Sequence, residues 1–88
     1  KAIELKPDFA EAHSNLGTIL RDIGKLPEAE LSTRKAIELN PVNAKFHSNL
    51  GIVLKALGKA KEAEVSIRKA IELNPTKENK EIKTLLNN

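Results

Sequence analysis

The chain has 88 residues, a net charge of +3, 40% hydrophobic residues, 2% aromatic residues and no cysteine. That length allows one small domain, and without thiols there is neither a disulfide framework nor a cysteine-based zinc site. Apolar runs stop at three or four residues, so no segment reads as a membrane span, and no charged, apolar and small-residue leader reads as a secretion signal. The expected setting is soluble and cytoplasmic. Ordering the chain costs about 1.5 kcal/mol per residue, and with two phenylalanines and no Trp, Tyr or Met the core has to come from Leu, Ile, Val and Ala. A chain that opens on Lys1 and holds no methionine reads as a piece of something longer. The basic balance, with a sequence pI of about 9.3, does not point to nucleic acid. Lysines and arginines alternate with glutamates in RKAIEL and KAKEAEVSIRKAIEL, as on a solvated helix surface with opposite charges as neighbours.

Sliding the chain along itself gives one dominant offset, 34 residues. KAIELKP at 1–7 returns as KAIELNP at 35–41 and 69–75, and HSNLG at 13–17 returns at 47–51. Aligning 10–43 with 44–77 leaves 21 identical pairs in 34, which decides the organisation. Residues 1–9 read as the end of a preceding repeat's second helix and its linker. Residues 10–43 and 44–77 are two full repeats, and 78–88 form a divergent C-terminal helix or cap.

In chain order, Lys1 to Lys6 supply a last helical turn. Asp8 is the expected N-cap of the next helix, which carries a stripe of Leu16, Gly17, Leu20 and Ile23 and stops at Gly24, a natural left-handed C-terminal residue. Lys25 and Leu26 make the turn, and Pro27 fits the first position of a second helix, where its missing N–H is harmless. That helix runs through Ala29, Ala36, Ile37 and Leu39 until Asn40 and Pro41 end it. In the second repeat Asn43, Gly58, and Asn74 with Pro75 do the same jobs, and nothing reads as a strand. Gly17 with Ala29, and Gly51 with Ala63, fall where paired helices cross. A helix-interior glycine costs about 1 kcal/mol relative to alanine, so close approach of the helix axes is the expected compensation.

These residues resemble the tetratricopeptide repeat. The set Leu16, Gly17, Leu20, Gly24, Ala29, Ala36 and Pro41, repeated as Leu50, Gly51, Leu54, Gly58, Ala63, Ala70 and Pro75, matches that family's pattern over nearly the whole chain. The departures are in aromatic places: His13 and His47 for tryptophan, Leu20 and Leu54 for tyrosine, Thr33 and Ile67 for a large aromatic. The resemblance implies an all-α fold of stacked antiparallel helix hairpins, a short right-handed solenoid with first helices lining a concave groove. Two repeats with flanking pieces are marginal for a solenoid, because each repeat buries its apolar face on its neighbours. Self-association, through the uncapped N-terminal face or by helix exchange, is therefore expected.

A search for catalytic groupings finds no Cys nucleophile, glycine-rich phosphate loop, HExxH motif or isolated carboxylate pair. His13 and His47 lie one repeat apart, but no further ligands recur at a metal-binding spacing, so they read as half-buried packing imidazoles. Ser14 and Ser48 lack triad partners. The expectation is a protein that is not an enzyme and needs no cofactor or metal.

The polar residues that call for a reason are Asn15 and Asn49. Asparagine in a helix interior is disfavoured by roughly 0.5 kcal/mol relative to alanine, and five or six helical residues precede each, so neither is a cap. Asn15 shares a face with Glu11, Thr18 and Asp22, and Asn49 with Lys45, Ile52 and Ala56. Hairpins stacked about 8 to 10 Å apart would place one carboxamide for every third residue of an extended peptide, which advances about 3.3 Å per residue. A carboxamide donates and accepts, and so can hold a peptide group without reading its side chain. The run AEAHSNLGTILRDIGKLPEAE also resembles repeats in the arm of the O-linked N-acetylglucosamine transferases and similar bacterial arrays. There an asparagine ladder holds the substrate backbone, and Asn15 and Asn49 match its positions. The resemblance to chaperone-adaptor carboxylate clamps is poorer, since Ser14 and Thr18 stand where a lysine and an asparagine are needed. The expected function is a non-catalytic protein–protein interaction scaffold that binds an extended peptide through Asn15, Asn49, Ser14, Ser48, Thr18, Lys45 and Ile52. The alternatives are a substrate-recruiting arm of a larger transferase or a self-associating spacer. Nucleic acid and membrane are not expected partners.

Overall fold

The computed structural model describes residues 7–74, with side chains from Phe9 onward. They form α1 (Pro7–Asp22), α2 (Leu26–Leu39), α3 (Ala44–Ala56) and α4 (Ala60–Leu73), with no strand among the described residues. The expected helix end at Lys1 to Lys6, the stop at Pro75 and the cap at 78–88 lie outside them.

Each hairpin turns on the same hydrogen-bond pair. Gly24 has φ +85° and Gly58 φ +83°, a region open to glycine at little cost. After α1, the Gly24 N–H donates to Arg21 C=O at 3.0 Å and the Lys25 N–H to Leu20 C=O at 2.8 Å. After α3, Gly58 donates to Lys55 at 3.0 Å and Lys59 to Leu54 at 2.9 Å. These are the two bonds of a Schellman cap, and they reverse the chain into the next helix. Asn43 caps α3 as expected, its Oδ1 accepting from the Lys45 N–H at 2.9 Å. Two boundaries differ from expectation. Pro7 is already helical, so Asp8 lies within α1 and not at the position before it. Helix α2 begins at Leu26, so Pro27 sits one position further in, still within the turn where an N–H has no intrahelical acceptor.

Small residues set the spacing within each hairpin. A Cβ built on Gly51 would collide with the Ile67 side chain and come within 3.3 Å of the Ala63 carbonyl. One on Gly17 would meet the Thr33 hydroxyl and come within 3.3 Å of the Ala29 carbonyl. Ala29, Ala36, Ala63 and Ala70 are all fully buried. Between hairpins, Ile37 of α2 packs on both core clusters, one of Ala10, Ala36 and Phe46 and the other of Leu50, Leu54 and Ala63.

The stripe expected on α1 divides in two. Gly17 faces α2 and Leu20 is half-buried, but Leu16 is 45% and Ile23 62% exposed. Their counterparts in α3 are Leu50, which is buried, and Leu57, which is half-buried. The difference is physical: α2 lies against α3, whereas no described helix lies against that side of α1.

Candidate functional site

Helix α1 meets both α2 and α3, and α3 meets α2 and α4. The first helices of the two repeats are therefore neighbours, and the face of α3 remote from α2 and α4 carries Lys45, Asn49, Ile52 and Ala56. Successive residues turn by about 100° along a helix, which puts these four on one side.

The seven expected site residues separate into a surface set and a supporting set. Asn15 and Lys45 are exposed, while Asn49, Ile52 and Thr18 are half-buried. Ser14 and Ser48 are buried, at 2% and 5% exposure, and so reach a ligand only through their neighbours. Asn49 Nδ2 donates to Ser14 Oγ at 3.2 Å across the repeat boundary, and the Thr18 hydroxyl donates to the Ser14 carbonyl at 3.2 Å. Ser14 is thus the acceptor that orients Asn49. The bond uses one of the amide's two N–H donors and leaves one N–H and the carbonyl oxygen for another partner.

The histidines lie elsewhere. His47 is half-buried, with Nε2 at 2.9 Å from the Pro41 carbonyl, so its ring ties α3 to the connection that precedes it. No group of three or more His, Cys, Asp or Glu side chains that could hold a metal ion occurs among the described residues.

A clasp between the repeats, not foreseen from the sequence, lies along α2. Glu30 accepts from Arg34 Nε at 2.8 Å within its helix and from Lys59 Nζ at 3.2 Å in the next repeat. Arg34 also donates to Glu62 of α4 at 3.3 Å. The Arg34 guanidinium, and after it Lys59, hold the Glu30 carboxyl below its ordinary value near 4.5, against the opposing effect of burial. The signal was present in the repeat: Glu30 and Arg34 recur as Glu64 and Arg68, and Lys25 and Glu28 recur as Lys59 and Glu62. Arg68 and Glu64 keep the within-helix pair at 2.8 Å.

This arrangement, hairpins closed on small residues at a 34-residue period, agrees with the family comparison. Tetratricopeptide-repeat profiles match residues 44–77 and 1–30, and a TPR-repeat profile matches residues 17–58. The chain belongs to the tetratricopeptide-repeat proteins, whose repeats generally mediate protein–protein interaction. No curated protein matches it. No helix among the described residues is long and apolar enough to cross a membrane.

Proposed function

We propose that the chain is a non-catalytic interaction module that grips an extended peptide along the face carrying Asn15, Asn49, Lys45 and Ile52. The observation that supports this reading is the Asn49 to Ser14 hydrogen bond. It holds the carboxamide in one orientation before any ligand arrives, so less side-chain freedom is lost on binding. The likeness to asparagine-ladder arrays agrees with it. In this reading Ser14 positions the Asn49 amide and Thr18 braces Ser14.

The test separates a gripping amide from one that only staples two helices. Asn49→Ala removes a hydrogen bond of about 1 kcal/mol but restores roughly 0.5 kcal/mol of helix propensity, so the melt should barely move. Binding of a blocked ten-residue serine–threonine peptide, followed by NMR, should weaken in Asn49→Ala and to a smaller extent in Ser14→Ala. A lower melting temperature with undiminished peptide binding would assign Asn49 a structural role instead.

A second reading, self-association, is favoured by a specific surface. Phe9, Leu16, Ile19 and Ile23 are each 45% exposed or more, and their spacing of seven, three and four residues puts them on one side of α1. Of the matching residues of α3, Leu50 and Val53 are buried, and Ile37 of α2 packs on the cluster that holds Leu50. Light scattering over a range of concentrations should show mass rising with concentration and Leu16→Glu abolishing the rise. A constant monomer mass removes this reading.

A further inference from the structure

On α3, the side opposite Asn49 faces a trough between α2 and α4. The two helices flank α3 with their Cα atoms more than 8 Å apart. The trough has a volume of about 440 Å³, with Leu50 at its base, Ile37 and Val65 on its walls, and Arg34, Glu38, His47 and Lys69 among its polar lining, the Glu38 carboxylate being paired with Lys35. Towards the start of α4 the Arg34 to Glu62 pair crosses between the helices, and a smaller hollow floored by Leu54 continues beyond it.

Two features make this trough a binding surface of definite chemistry. Val65 on its wall is 69% exposed, in a place where an aliphatic group could be covered at no cost in buried polar atoms. Lys69 has no ion-pair partner among the described residues, although its counterpart one repeat earlier, Lys35, pairs with Glu38 at 3.5 Å. Arg34 is already shared between Glu30 and Glu62, so Lys69 is the uncommitted cation at the trough.

We propose that the trough takes an aliphatic side chain of an acidic peptide, with an adjacent carboxylate of that peptide on the Lys69 ammonium. A peptide suits this place because the hollow continues past Arg34 along the helices, giving a chain somewhere to run beyond an anchored residue. Much of the lining recurs at the 34-residue period: His47, Leu50, Ser66 and Lys69 repeat His13, Leu16, Ser32 and Lys35, and Val65 repeats Leu31. A partner with acidic and aliphatic residues at a matching interval could therefore engage successive troughs in a longer array.

The probe is a blocked five-residue peptide with a central leucine flanked by glutamates, titrated into the ¹⁵N-labelled chain. Amide shifts should move at Ile37, Leu50, Val65 and Lys69. Lys69→Glu should weaken binding by about tenfold, the order expected for a charge-assisted contact, and Val65→Ser should weaken it as well. Both sites are exposed, so both variants should keep the wild-type circular dichroism spectrum. Asn49→Ala should leave this titration unchanged, which separates it from the face proposed above. The proposal is overturned if a glycine-centred or lysine-flanked peptide binds equally well, if octanoate alone matches the peptide, or if shifts are absent or confined to the Asn15 and Asn49 face.

Discussion

At the residue scale, position 51 shows how a single hydrogen in place of a methyl group sets a helix crossing. Alanine there would raise helix propensity by about 1 kcal/mol, yet its Cβ would enter the space of the fully buried Ile67 side chain. Overpacking of this kind costs about 1 to 3 kcal/mol, so Gly51→Ala should lower stability on balance. Ile67→Ala alone should cost about 2 to 5 kcal/mol, and the double variant should be destabilised by clearly less than the sum of the two. Additive losses in denaturant melts would show that the clash is not what keeps glycine at 51. The sequence made Gly51 and Gly17 legible, because an interior glycine needs a packing reason. It made Asn49 legible for a parallel reason, the cost of an amide in mid-helix. Ser14 was only partly legible: its type and position suggested the groove, but its burial and its role as the Asn49 acceptor depend on how α1 crosses α3. No periodicity within one helix carries that information.

At the element scale, the hairpins were readable almost throughout, since Gly24 and Gly58 fix the reversals and Asn40 and Asn74 end the second helices. The shift of α2 by one residue and the inclusion of Pro7 in α1 are end effects that helix-terminal residues leave open. What the helices do to one another was less legible, and the Glu30 clasp is the clearest case. Its carboxyl is held below its ordinary value in the folded chain, so the unfolded chain binds more protons as the pH falls through this range. The stability it contributes is complete above the ordinary value near 4.5, and it is lost as the pH drops through the lowered folded value. Glu30→Gln should therefore melt below the wild type at pH 7, with the gap narrowing towards pH 3. A gap of constant size across that range would mean that the charge on Glu30 does not stabilise the repeat boundary.

At the scale of the whole molecule, the repeat period predicted a stack, and the stack explains why equivalent residues have unequal surroundings. Leu16 and Leu50 occupy the same place in their repeats, yet one is 45% exposed and the other 4%, because among the described helices only α3 has a second helix of the preceding repeat against it. A sequence read one repeat at a time assigns both to the core, and neighbour contacts alone tell them apart. The same stacking joins Asn49 to the repeat before it and opens a trough on the opposite side of α3, so one array presents two distinct surfaces. The central claim concerns the first of these: two asparagines, one of them held in place by Ser14, grip the backbone of an extended segment. Its most direct measurement is the affinity of the blocked serine–threonine peptide for the wild type, for Asn15→Ala, for Asn49→Ala and for the double variant, by NMR titration, alongside their thermal melts. The account predicts losses that add on a free-energy scale, together about tenfold or more if each amide supplies roughly 1 kcal/mol, with melting temperatures little changed. Full affinity in the double variant would contradict it.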